Sequence, residues 1–281
     1  MKQEKTVGDK IIAFISCFGP FIAFLAIQLF IGVALGITVL VVIMLEKGGV
    51  TSTTVEYMER IMGSLNFYIL LACTLATTCC GYAWFRYGYK EEYDYKVTEV
   101  ASGKDIAYII GMALAATFAT DVVVYIIAAI APKAIENYAE LVNSAGIGNS
   151  AITFMIAAFL APVGEECFYR GIILRKAEKA FTFVMANIIQ AALFGIMHGN
   201  LVQGAYAFAL GLILGYVYHK YQSLVIPILF HMSFNIFGQT LPFLTAEIPM
   251  PLNLLLVATS VVLLALCLLG VSKRTIHPKK C

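Results

Sequence analysis

The sequence predicts an all-α fold: a polytopic membrane helix bundle of about eight transmembrane helices with both termini cytoplasmic. Hydrophobic residues make up 60% of the chain and charged residues only 13%, against ~25% charged in ordinary soluble domains. Several apolar runs reach the roughly 20 residues that an α-helix needs to cross the hydrocarbon core. The basic residues also alternate by loop, as the enrichment of cytoplasmic loops in Lys and Arg requires. A net charge of +2 with no basic patch gives no reason to expect a nucleic-acid partner. The lipid bilayer is the expected surrounding.

The elements follow in order. A charged leader, Met1 to Lys10, precedes an apolar run from Ile11 to Leu45, far longer than a signal-peptide core. It reads as one retained span with a candidate kink at Gly19-Pro20. Glu46 to Ser64 reads as a polar loop, and Leu65 to Phe85 as a second span ending in a belt of Tyr82, Trp84, Tyr87 and Tyr89. After a charged segment, a third span over Ile106 to Ile130 carries Asp121, whose ordinary reading is a helix-packing acid. Pro132 to Ser150 reads as a mixed polar loop. Five further spans are expected at 151–176, 181–198, 201–218, 224–237 and 252–271. This arrangement puts fifteen Lys and Arg on the cytoplasmic side and Lys47, Arg60 and Lys133 on the other, leaving Arg170 inside a helix.

The seven cysteines are odd in number and lie mostly in or beside apolar segments, so no disulfide framework is expected. The final Cys281 lacks the residues that a prenylation signal places after its cysteine. There is no low-complexity tract or internal repeat. The chain reads as one membrane domain in three parts: residues 1–149 without a motif, 150–240 with the polar positions described next, and 241–281 with the last helix and a basic tail.

Those polar positions are costly. An ionisable group at bilayer depth costs about 2.5–3.5 kcal/mol on insertion scales, yet the fourth span holds Glu165, Glu166 and Arg170 together. Glu166 and Arg170 are four apart and share a helix face, so they can pair, whereas Glu165 is turned about 100° away and is the freer acid. The fifth span ends Phe194-Gly-Ile-Met-His198, and the seventh presents His231 and Asn235 from one face. A carboxylate can deprotonate water beside an imidazole, and imidazole and amide can donate to an oxyanion, so the set suggests hydrolysis. The same donors suit a divalent metal such as zinc, held if at all by Glu165, His198 and His231. A His-Glu-x-x-His motif is absent. Counting helical rise sets His198 about 26 Å from the cytoplasmic side, against about 15 Å for Glu165 and about 12 Å for His231. The fifth helix must therefore begin later, tilt steeply or bend near Gly195 to Gly199.

Glu165-Glu166-x-x-Tyr169-Arg170, Phe194-x-x-x-His198 and His231-x-x-x-Asn235, in that order on successive helices, resemble the three signatures of the CPBP intramembrane proteases. That family includes the type II CAAX prenyl endopeptidases and bacterial bacteriocin-processing and self-immunity proteins. The resemblance covers about Ser150 to Gln239. It implies a multi-pass protease of the cell membrane, by the bacterial relatives a plasma membrane, that acts on a membrane-associated, prenylated or leader-type peptide. Glu165 and His198 would activate the water, and His231 and Asn235 would stabilise the oxyanion. Glu166, Arg170 and Phe194 would support them, with or without a metal. The two other readings are a catalytically idle immunity or scaffold protein that sequesters a peptide, and a proton-coupled transporter using Asp121, Glu165 and Glu166. The lack of inverted repeats weighs against the transporter.

Overall fold

The structure, a computed structural model, describes residues 6–47, 52–89, 95–145 and 151–274. The first five residues, Lys90 and the tail beyond 274, on which part of the expected charge asymmetry rests, lie outside the described residues. Among the described residues there are ten helices and no strand. They are α1 (Val7–Lys47), α2 (Ser52–Gly88), α3 (Val97–Val100), α4 (Gly103–Ile130), α5 (Pro132–Ala145), α6 (Ala151–Ala177), α7 (Phe183–Met197), α8 (Leu201–Tyr221), α9 (Val225–Thr245) and α10 (Met250–Ser272). Six of these, α1, α2, α4, α6, α8 and α10, are long and apolar enough to cross a membrane. The chain is a multi-pass membrane protein.

All eight expected spans are helical, although α7 has only 15 residues and α9 is made less apolar by His231, Asn235 and Gln239. Two expected loops are not loops. The stretch at 46–64 is helical from Ser52, and 132–150 contains α5. Pro132 stands at the start of α5, where its missing N–H costs nothing. Ala134, Ile135, Tyr138 and Val142 recur at helical spacing on its half-buried face. Pro20 lies inside α1 without ending it.

Two apolar clusters form the interior. One gathers Phe24 of α1, Phe85 of α2, Phe168 and Tyr169 of α6, and Phe194 of α7. The other joins Met112 of α4, Leu214 of α8, Phe230 of α9 and Val271 of α10. Helix α8 contributes to both, and Tyr206 packs against each. At the end of α10, Arg274 pairs with Asp105, donates to the Val100 carbonyl and lies over the Tyr221 ring, 4.1 Å from its centroid. That clamp ties α4, α8 and α10 together. Asp105 also completes a capping box with Ser102 at the start of α4.

Small residues let the helices that carry the polar groups approach closely, as in membrane helix packing generally. In α7 and α8, a Cβ on Gly195 would fall 2.6 Å from the Gly204 carbonyl oxygen. In α6, a Cβ on Gly164 would fall 2.7 Å from Thr78 Oγ1 and 3.0 Å from Thr78 Cα. Because the second contact is backbone, no rotamer change relieves it. Gly164→Val is expected to destabilise the protein by about 1–3 kcal/mol, with Gly164→Ala intermediate, as measured by unfolding in detergent micelles.

Candidate active site

The site is built on α6, which departs twice from α-helical geometry. Ile156–Leu160 and Cys167–Leu174 are π-helical, flanking Glu165 and Glu166. Such bulges often mark functional positions. The first has a local cause and consequence. Ala161 N–H bonds back to Ile156 O in the wider π pattern, so the next residue should bond to Ala157 O. That residue is Pro162, which has no N–H. The Ala157 carbonyl is met instead by the side chain of Asn235, whose Nδ2 donates at 2.9 Å. Asn235 thus joins α9 to α6 with one amide hydrogen and retains a second.

One α-turn earlier on α9, His231 meets the acidic pair. Glu166 Oε1 accepts from Arg170 Nη1 at 2.7 Å and from His231 Nδ1 at 2.8 Å. A carboxylate beside an arginine is an acceptor, which assigns the proton to His231 Nδ1. The other ring nitrogen, Nε2, lies 3.7 Å from Glu165 Oε2, within ion-pair range but too long for a hydrogen bond. The two glutamates differ in access: the Glu165 side chain is 15% exposed, whereas Glu166 and Arg170 are at 0%. Only Glu165 is open to an incoming molecule.

Arg170 is held from the other side as well. Its Nη2 donates to the Gly211 carbonyl at 3.3 Å, and Gln190 Nε2 donates to the same oxygen at 2.8 Å. Gln190 also donates to Asn187 Oδ1 at 2.7 Å, and Asn187 donates to Leu212 O. The sequence reading passed over Asn187 and Gln190. Two amides in an otherwise apolar helix, on the face of Phe194 and His198, were the signal available.

Phe194 is the hub. Its ring meets His198 and His231 edge-to-face, with centroids 5.0 Å and 5.7 Å away. Tyr169 also packs on it at 5.0 Å, and the Arg170 guanidinium lies 4.5 Å from its centroid. His198 caps α7, and Gly199 follows in a left-handed conformation at φ +68° that turns the chain into α8. Helix α7 starts at Phe183 rather than Phe181 and spans only about 22 Å. The later start shortens the counted depth of His198 by only about 3 Å, yet its ring shares Phe194 with that of His231. His198 Nδ1 lies 2.8 Å from the Phe194 carbonyl, which only accepts. That assigns the proton to Nδ1 and leaves Nε2 with a free lone pair.

Glu165, Glu166, Arg170, Phe194, His198 and His231 thus come together, with Asn235 one turn further along α9. Among the described residues no group of three His, Cys, Asp or Glu side chains is placed to hold one metal ion. Glu165, His198 and His231 do not form such a group. Asp121 lies half-buried in α4.

This arrangement falls within the part of the chain that has known relatives. Residues 147–237 match the Type II CAAX prenyl endopeptidase Rce1-like family. The resemblance read from the three signatures holds over this Rce1-like segment. A curated relative, "Putative membrane peptidase YdiL" of Bacillus subtilis (strain 168), is 26% identical over 86 residues, 31% of this chain and 35% of that protein. The match spans about a third of the relative's length. No solved structure matches the chain.

Removing one partner from the buried pair leaves a charge without compensation. Arg170→Met is expected to cost about 3–5 kcal/mol, and adding Glu166→Gln should recover most of that loss. Unfolding of the single and double variants in micelles measures both.

Proposed function

We propose that the protein is an intramembrane endopeptidase that hydrolyses a peptide bond of a membrane-associated substrate, of prenylated or leader type, using water activated by Glu165 and His198. The observation that carries this reading is the division of labour between the two glutamates. Glu166 is sealed, and its Oε1 serves Arg170 and His231. Glu165 is partly exposed, and its contact with His231 Nε2, at 3.7 Å, is too long for a hydrogen bond.

The chemistry follows from the groups present. Glu165, with the unprotonated Nε2 of His198, accepts a proton from water as its oxygen adds to the substrate carbonyl carbon. With its Nδ1–H held by Glu166, His231 donates to the oxyanion that forms only through Nε2–H, that is as the imidazolium, and the second amide hydrogen of Asn235 donates beside it. Collapse of that intermediate breaks the C–N bond, and the proton held on the base passes to the leaving amine. Glu166 orients His231 through Nδ1, and Arg170 balances the charge of Glu166. The match to the Rce1-like family supports the reaction class, as does the membrane-peptidase relative.

The test compares membrane peptides from cells carrying wild-type and Glu165→Gln protein. Products present with wild type should vanish with Glu165→Gln, a rate loss of about 10²–10⁴-fold for a general base. With purified protein, the same assay with a chelator and with added zinc reads whether a divalent metal takes part. A folded Glu165→Gln protein that processes substrate at the wild-type rate would sink the proposal.

A further inference from the structure

Helix α2 carries none of the three signatures, yet it touches α6 directly before the two glutamates. Thr78 Oγ1 donates to the Leu160 carbonyl at 3.2 Å. Thr74, Thr77, Thr117 and Thr240 each return their hydroxyl to the carbonyl four residues back in their own helix, a common choice for a threonine inside a helix. Thr78 gives its one hydrogen to a neighbouring helix instead. The two backbones are close at the same point. A Cβ on Gly164 would lie 3.0 Å from Thr78 Cα and 3.2 Å from Thr78 N, and one on Gly81 would lie 3.3 Å from the Gly164 carbonyl oxygen. Gly164 is the residue before Glu165.

Leu160 closes the first π-helical segment, Ile156–Leu160. A π-turn takes up one residue more than an α-turn, and one residue is about 100° of rotation. The bulge therefore decides which of two adjacent side chains turns to His231. It is gripped from two sides. Near its start Asn235 of α9 donates to Ala157 O at 2.9 Å, and at its end Thr78 of α2 donates to Leu160 O. In the phase that results, Glu166 accepts from His231 Nδ1 at 2.8 Å while Glu165 keeps its partial exposure. The same helix also backs the second π-helical segment, where a Cβ on Gly171 would fall 2.6 Å from the ring of Phe85.

We propose that Thr78 is a positioning residue for the reaction: its hydroxyl holds the end of the first π-turn and so keeps Glu165, rather than Glu166, on the open side of α6 where water is activated. The inference rests on the peptidase reading above. It gives α2 a part in a site whose reacting groups come from α6, α7 and α9. Without this grip α6 samples a second phase in which the acids are turned from their partners, and only the remaining fraction is competent. Because the acids act in the chemical step, the loss falls on kcat.

The experiment uses the full chain in lipid nanodiscs and a synthetic peptide spanning the cleavage site of a product that disappears with Glu165→Gln. Thr78→Val keeps the branched shape that packs on Gly164 but removes the hydroxyl, and should lower kcat by about three- to tenfold with KM unchanged. Thr78→Ser keeps the hydroxyl and should hold kcat within about twofold of wild type. A role in packing alone predicts the reverse order, since serine leaves the space of a methyl group and valine does not. Hydrogen exchange across residues 156–166, read in the same nanodiscs without peptide, should quicken in Thr78→Val and stay at the wild-type rate in Thr78→Ser. Wild-type kcat or unchanged exchange in Thr78→Val, an equal or larger kcat loss in Thr78→Ser, or a loss confined to KM would overturn the assignment while leaving the peptidase reading intact. If no product distinguishes wild type from Glu165→Gln, the peptidase reading falls and this inference falls with it.

Discussion

A single carboxylate oxygen, Glu166 Oε1, holds Arg170 and His231 together inside the bundle. Moving a carboxylate and a guanidinium out of water costs several kcal/mol each, and their attraction repays this only when geometry and further hydrogen bonds are good. Here the geometry is supplied from several directions. The i, i+4 spacing on α6 brings Arg170 onto Glu166, α9 brings His231, and α8 offers the Gly211 carbonyl to the far side of the guanidinium. Phe194 closes the remaining face with its ring. Loss of any of these partners leaves buried charge exposed to an apolar interior, so the pair imposes a common arrangement on four helices.

The irregular course of α6 belongs to the same constraint. In a regular α-helix each interior carbonyl already accepts from its own chain, so one that loses that partner must be met from elsewhere. By placing Pro162 where the π pattern requires an N–H, the sequence releases Ala157 O, and Asn235 takes it up. Helices α6 and α9 are thereby joined at two levels, by Glu166 with His231 and by Ala157 with Asn235. One helix face consequently serves packing and chemistry together. In a membrane, where bulk water is not present to satisfy a released carbonyl, a side chain from a neighbouring helix is one of the ways to do so.

The short α7 solves the remaining problem of bringing a second imidazole to the same place. A helix crossing the whole hydrocarbon core would carry its end about 30 Å away. Ending at Met197 and reversing at Gly199 puts His198 beside the ring of Phe194. The close approach of α7 and α8 through Gly195 and Gly204 keeps that hairpin narrow. Helix α8, shared by both apolar clusters, then connects the polar centre to the second half of the bundle.

The sequence by itself determined the helical membrane class, because apolar run length and charge depletion act locally and need no knowledge of neighbours. It also determined which residues are polar at depth, and the i, i+4 relations of Glu166 with Arg170 and of His231 with Asn235 follow from helical spacing alone. Helix α5 was legible too, in Pro132 and the period of Ile135, Tyr138 and Val142, but its abundance of polar residues reads as loop when only hydropathy is weighed. Only the tertiary structure decided which glutamate is sealed, since a one-residue step along α6 separates the fully buried Glu166 from the partly exposed Glu165. It alone decided that His198 reaches the centre and that Asn235 binds the Ala157 carbonyl. It also decided that Gln190 and Arg170 share an acceptor and that Thr78 donates to the Leu160 carbonyl. Each of these depends on contacts between segments far apart in the chain, and local periodicity carries no information about such contacts.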